Sequence, residues 1–96
     1  MEYKDFIDSL KNSESPKNMS IYLQALWEDG KKNWDRAHEL IQDVEDENAS
    51  WIHAYLHRKE GDAGNALYWY NRARKKMPNI SLDEEWKFLV ENFLKE

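Results

Sequence analysis

The chain repeats itself at an offset of 29 residues, and this repeat limits the folds it can adopt more than any other feature. Residues 22–46 align with residues 51–75 without a gap. The matching pairs are Tyr22 and Trp51, Leu23 and Ile52, Ala25 and Ala54, Asn33 and Asp62, Ala37 and Ala66, and Leu40 and Trp69. Alanine recurs where two helices must approach closely. Because one helical hairpin cannot bury its apolar face alone, the pattern predicts two hairpins that stack.

Hydrophobic periodicity and capping residues predict six helices and no strand within a single domain, residues 1–96. Ser15 and Pro16 predict the start of the second helix, and Gly30 and Gly61 predict helix ends. Pro78 is expected to end the fifth helix. The predicted segments are an N-terminal helix over about 2–11, a first hairpin over 16–45, a second hairpin over 48–77 and a C-terminal capping helix over 82–95.

The second copy of the repeat resembles the tetratricopeptide repeat. Its segment EGDAGNALYWYNRARKKMP carries the residues typical of that family: Gly61, Ala66, Tyr70, Ala73 and Pro78. The first copy departs from the family, since its turn is GKKN and no proline follows Val44. The resemblance implies an all-α, right-handed array of antiparallel hairpins with flanking helices, and a role in protein binding. The segments WDRAHELIQD, WIHAYLHRKEGD and NALYWYNRA are also similar to short stand-alone bacterial proteins of unassigned function.

The core of this chain must be largely aromatic. Leu, Ile, Val and Phe together make 19 of 96 residues, and with a net charge of −5 this composition borders on that of disordered chains. Five Trp and five Tyr compensate, because each ring can bury roughly 150–250 Å². We therefore expect a folded domain in which most of these rings serve the structure.

Composition excludes several classes of function. Without cysteine there is no disulfide framework, thiolate zinc site or cysteine nucleophile. The acidic balance disfavours nucleic-acid binding, and the basic cluster at 72–76 is expected to complement a helix C-terminus. No membrane span or signal peptide is visible, which predicts a cytoplasmic location. No cofactor motif, phosphate loop or nucleophile elbow is present, so the sequence favours a function other than catalysis.

Three histidines offer the clearest chemistry. His53 and His57 are four residues apart, which places both on one face of a helix, and Glu60 lies one turn further. This spacing can bind a metal ion, with His38 as a further ligand if its helix packs alongside. Ala54 stands where a metalloprotease would have its general base. The alternative is a hydrogen-bonded seam between helices. Hydrophobic periodicity places His53 and His57 away from the buried side of their helix, which would leave them exposed, whereas the repeat register places them against the helix over 62–77. We favour the register, which predicts that both rings are shielded from solvent.

Aromatic and charged residues suggest a binding groove on the second hairpin. In the repeat family, the face that carries Trp51, Tyr55 and Arg58 lines a concave groove. For Trp51 and Tyr55 themselves, packing on the preceding helix, 34–45, as part of the core is the favoured interpretation. The leading interpretation is an interaction module for a protein or peptide partner, with Trp51, Tyr55, Arg58, His53 and His57 as binding residues. The alternative is a small-molecule or metal site built from His38, His53, His57 and Glu60. Two repeats are fewer than a stable array needs, so flanking helices or self-association must cover the ends.

Overall fold

The computed structural model describes residues 1–95, and this part of the chain folds into six α-helices without a strand. The helices are α1 (Tyr3–Ser9), α2 (Ile21–Gly30), α3 (Trp34–Ile41), α4 (Glu47–Lys59), α5 (Ala63–Ala73) and α6 (Leu82–Leu94). The prediction of an all-α fold is confirmed. No helix in residues 1–95 combines the length and apolarity that a bilayer crossing requires.

The helices pack in two consecutive pairs. α2 lies against α3, and α4 lies against α5 in the largest interface between elements. α4 also contacts α2 and α3, so it sits between the two pairs. α6 covers α2 and α4, and α1 packs on α6. The helices outside the repeat therefore cover faces that the two pairs leave open.

The second helix begins later than its sequence signals indicate. We predicted a start at Ser15 and Pro16, whereas α2 begins at Ile21 with Ser20 as its N-cap. The Ser20 hydroxyl accepts a hydrogen bond from the Leu23 amide at 3.2 Å. Asn18 has φ +66°, a left-handed conformation that interrupts any helix through this segment. The correct cap is the serine that follows this break.

The fifth helix ends four residues before the predicted boundary at 77. Arg74 adopts a left-handed conformation with φ +60°, and its amide bonds to the carbonyls of Asn71 and Tyr70. The helix therefore ends at Ala73, before Pro78 is reached. The second helix of the first hairpin, α3, likewise ends at Ile41 rather than at the predicted residue 45. Most of the basic cluster at 72–76 consequently lies in the connection to α6.

Gly30 serves close packing and not helix termination. It is the last residue of α2, while Lys32, with φ +65°, takes the left-handed position after the helix. A Cβ on Gly30 would lie 2.9 Å from Cζ2 of Trp86 and 3.0 Å from Cδ2 of Leu10. The prediction for Gly61 is confirmed, because this residue, with φ +87°, follows the end of α4, the first helix of the second hairpin.

The core is aromatic and centred on α4. Residues Ala49 to His57, nine in succession, are all buried, so no face of this helix meets solvent over that length. The fully or largely buried rings are Phe6, Trp27, Trp51, Tyr55, Tyr70 and Phe93. Of the Trp and Tyr residues only Tyr68 is mainly exposed. This confirms that the rings supply the core that the aliphatic residues cannot.

Two buried carboxylates hold α4 to its neighbours, and the sequence analysis missed both. Asp29 of α2 accepts hydrogen bonds from the Tyr55 hydroxyl and from Lys59 Nζ, each at 2.9 Å. Glu85 of α6 accepts from the Tyr70 hydroxyl at 2.6 Å and from Arg58 at 2.7 Å. Because removing one partner of a buried pair leaves an unpaired charge, these contacts specify which helices meet.

A pair of glycine substitutions tests the close approach of α2 to α6. We expect Gly30→Ala to destabilise the fold by about 1–2 kcal/mol, because the Trp86 ring it would meet is held by a hydrogen bond from Nε1 to the Leu26 carbonyl. Gly64→Ala is the matched control. It adds a methyl group in open space within α5 and should stabilise by about 0.5–1 kcal/mol. Urea unfolding measures both, and equal effects would contradict the close packing.

Candidate metal centre

The three histidines of the chain gather at one place. His38 comes from α3, and His53 and His57 come from consecutive turns of α4. One possible ligand atom from each lies within 4.8 Å of the others. The condition set for His38, that its helix pack alongside α4, is met, because α3 contacts α4. The fold thus brings the two histidines paired by their spacing on α4 together with His38 in one three-histidine cluster.

The rings in this histidine cluster are in direct contact. Nε2 of His38 lies 2.9 Å from Nε2 of His53, within hydrogen-bond distance. The rings of His53 and His57 stack with centroids 4.8 Å apart. The His38 ring stands at 74° to that of His57, with centroids 5.4 Å apart. The nitrogens of two helices therefore converge on a small volume.

Two tryptophans enclose the cluster and fix its rings. Trp34 lies parallel to His38 with centroids 5.0 Å apart, and its Nε1 donates to the Leu56 carbonyl at 2.8 Å. Trp69 of α5 stacks on His53 with centroids 3.9 Å apart. Trp34 was not predicted at the site, although it lies one helical turn before His38 on α3. Trp69 was expected only as a possible partner for polar groups in the seam, because it reaches His53 from a different helix.

Burial of the cluster settles a conflict between two sequence arguments. Hydrophobic periodicity puts His53 and His57 outside the buried face of their helix, whereas the repeat register puts them in the seam with α5. The structure gives 6% exposure for His53 and 8% for His57, which confirms the register. A middle helix of this fold buries more faces than an amphipathic surface helix does.

Burial also controls the charge of the cluster. Loss of solvation, followed by the charges of the neighbouring His38 and His57, lowers the pKa of His53 to about 3. Desolvation, followed by the charge of His57, lowers the pKa of His38 as well, although Glu60 and Asp35 oppose this. His53 is therefore neutral at neutral pH, the state in which a ring nitrogen can bind a metal ion.

A carboxylate orients the third histidine. Nδ1 of His57 lies 2.6 Å from Oε2 of Glu60, and because a carboxylate accepts hydrogen bonds, Nδ1 is the donor of this contact. In the neutral tautomer with the proton on Nδ1, Nε2 is the nitrogen free to bind an ion. Metal-binding histidines usually donate to a carboxylate in this way. Asp62 lies close by, but its carboxylate caps α5 by accepting from the Asn65 amide at 3.2 Å and from Asn65 Nδ2 at 3.1 Å. Glu60 is thus the partner that positions His57.

Tyr55 and Arg58 are each bound to a buried carboxylate. Tyr55 is 2% exposed, and its hydroxyl is bound to Asp29 in the core. Burial, together with Asp29, raises the pKa of this hydroxyl well above its ordinary value. Arg58 is engaged with Glu85 and donates to the Ile80 carbonyl. The core alternative holds for Tyr55, because the middle helix has no free face on which to present it.

Trp51 lies apart from the histidine cluster. It is 7% exposed, and part of its ring lines a separate groove with the exposed Phe88 of α6. The five predicted binding residues are therefore split three ways: two in the histidine cluster, two in buried networks and one at a groove.

No family model, curated protein or solved structure matches this chain.

We expect acid to destabilise the metal-free protein partly through His53. Its pKa is about 3 in the folded chain and about 6.5 when unfolded, so between these values the unfolded state binds the proton more tightly. The stability is full above about pH 6.5 and declines as the pH falls towards 3. Urea unfolding of wild type and His53→Gln at several pH values measures it. The free energy of unfolding of the variant should depend less on pH than that of the wild type. An identical pH dependence would contradict the contribution of His53.

Proposed function

We propose that the chain binds a divalent transition metal ion, of which Zn²⁺ is the best chemical match, through His38, His53 and His57. The convergence of all three histidines within 4.8 Å carries the proposal. Imidazole nitrogen is a preferred ligand of Zn²⁺, and neighbouring ions such as Ni²⁺ and Co²⁺ accept the same donors. This was the alternative interpretation of the sequence, and the packing of α3 on α4 supports it over the leading one.

The distance between His38 and His53 suits a tetrahedral ion after a small adjustment. Zn–N bonds of about 2.0–2.1 Å place two ligand nitrogens about 3.4 Å apart in a tetrahedron. His38 and His53 are now 2.9 Å apart, so they would separate by roughly half an ångström. Three histidines leave one position of the ion for a small ligand, the arrangement typical of accessible zinc sites rather than purely structural ones.

The surroundings of the cluster also favour a metal ion. The depressed pKa of His53 removes competition from protons at neutral pH. Glu60 would hold His57 in the tautomer that offers Nε2. The stacked rings of Trp34 and Trp69 limit the freedom of His38 and His53, so little ordering would remain on binding.

As part of the same proposal, the two helix pairs form a tetratricopeptide-like right-handed array flanked by α1 and α6. The repeat register supports this, because its four alanines are all fully buried at helix contacts: Ala25, Ala37, Ala54 and Ala66. In such an array His38 belongs to the first hairpin, and His53 and His57 belong to the second. A bound ion would then link the two repeats directly.

Calorimetric titration of the metal-stripped protein with Zn²⁺ tests the proposal. We expect one ion per chain, tetrahedral Co²⁺ absorption in the visible range, and a raised melting temperature, since an ion at a hundred times its dissociation constant stabilises by about 2.7 kcal/mol. His53→Gln should abolish all three signals. Absence of stoichiometric Zn²⁺ binding by the wild type would refute the site and leave the hydrogen-bonded seam.

The positioning role of Glu60 has its own matched pair of variants. Glu60→Gln should weaken Zn²⁺ binding about 10–100-fold, because it removes the carboxylate that orients His57. Glu39→Gln makes the same change on the exposed part of α3 and should leave the affinity unchanged. Equal affinities for the two variants would show that Glu60 does not position a ligand.

A further inference from the structure

A second candidate site lies beside Trp51, and it is separate from the histidine cluster. It is a groove of about 300 Å³ between the connection that follows α5 and the helix α6. We call it the Trp51 groove. It is lined by Trp51, Lys75, Lys76, Pro78, Ile80, Glu85 and Phe88.

The floor of the Trp51 groove is apolar and partly open to solvent. Trp51 and Phe88 meet edge to face with centroids 5.9 Å apart. Phe88 is 59% exposed, although its neighbours Leu89 and Val90 are fully buried on the core side of α6. Ile80 is exposed beside it. Aromatic and aliphatic groups exposed together are typical of an interaction surface.

The rim of the Trp51 groove is positive although the chain as a whole is acidic. Lys75 and Lys76 are exposed, and within residues 1–95 neither forms an ion pair. Nζ of Lys75 lies 4.5 Å from the centre of the Trp51 ring. The acidic group in the lining, Glu85, is buried and already neutralised by Arg58. The groove therefore complements a negative charge.

The backbone along the rim can also take part in binding. The connection after Arg74 contains no helix, and the amides of Lys76, Met77 and Asn79 find no acceptor within residues 1–95. Unpaired backbone amides beside apolar pockets are the means by which proteins hold extended peptides. Two lysines on a chain of charge −5 do not make a nucleic-acid surface.

We propose that the Trp51 groove binds a short acidic peptide segment of a partner protein. One bulky apolar side chain of that segment would pack over Trp51 and Phe88, and its carboxylates would meet Lys75 and Lys76. This keeps the predicted protein partner and the predicted role of Trp51, but it places the anchors on α6 and on the connection rather than at Tyr55 and Arg58.

Fluorescence anisotropy with a labelled seven-residue peptide, one Trp flanked on each side by three acidic residues, tests the proposal. Zinc is withheld by a chelator, so the outcome does not depend on the metal site. We expect saturable binding that weakens with salt and is lost when lysines replace the acidic residues or when alanine replaces the tryptophan. The double variant Lys75→Glu with Lys76→Glu should weaken binding at least about tenfold.

The control is Lys11→Glu with Lys17→Glu, which makes the same change in net charge at exposed lysines outside the groove. It should retain most of the affinity. Phe88→Ala should weaken binding without loss of the fold, checked by circular dichroism, because this ring is mainly exposed. Trp51 is unsuitable for substitution, since its burial makes it part of the core.

Three results would overturn the proposal: no saturable binding of the acidic peptide, equal affinity in the two double-lysine variants, or equal binding of the lysine-substituted peptide. A fourth comes from sedimentation equilibrium. A dimer that Phe88→Ala dissociates and that excludes the peptide would show that a second copy of this chain occupies the groove.

Discussion

The rest of the structure depends on the burial of α4 from Ala49 to His57. A helix that meets protein on every side must find a partner for each polar group it carries, because an unpaired buried group costs about 1–3 kcal/mol. Tyr55 finds Asp29 on α2, Arg58 finds Glu85 on α6, and His53 finds His38 on α3. Across residues 1–95, no buried side-chain nitrogen or oxygen lacks a partner. The polar residues of α4 therefore determine which helices surround it and in which register.

Local sequence signals predicted most of the fold, whereas the remaining features depend on the conformation and packing of the folded chain. The 29-residue repeat and hydrophobic periodicity predicted the helices, and α6 begins at the predicted residue 82, behind a capping box formed by Ser81 and Glu84. The predicted start of α2 was wrong because Ser15, followed by Pro16, has the same capping chemistry as Ser20. Only the left-handed conformation of Asn18, which lies between them, distinguishes the two possible starts. The end of α5 was wrong because Arg74 adopts a left-handed conformation that glycine usually takes.

The candidate sites were predictable to a similar extent. Helical spacing brought His53 and His57 together on one face, but the arrival of His38 depends on how α3 packs against α4, which spacing within a helix does not encode. The repeat register predicted their burial correctly. Glu85 was missed because a carboxylate in the first turn of a helix is normally a solvated capping group. Here it is buried and bound to Arg58, whose half-buried side chain is thereby held against α6.

The stacking of tryptophans on the histidine cluster gives the protein an optical readout of its own site. Indole emission is quenched by a protonated imidazole or an open-shell ion in contact with the ring. Trp34 and Trp69 each lie against a histidine of the cluster, at 5.0 and 3.9 Å between ring centres. The intrinsic fluorescence of the unlabelled chain should therefore follow proton uptake and, at the proposed metal site, the binding of ions such as Ni²⁺ or Co²⁺. Within residues 1–95, Trp27, Trp51 and Trp86 stack on no histidine and would give a constant background.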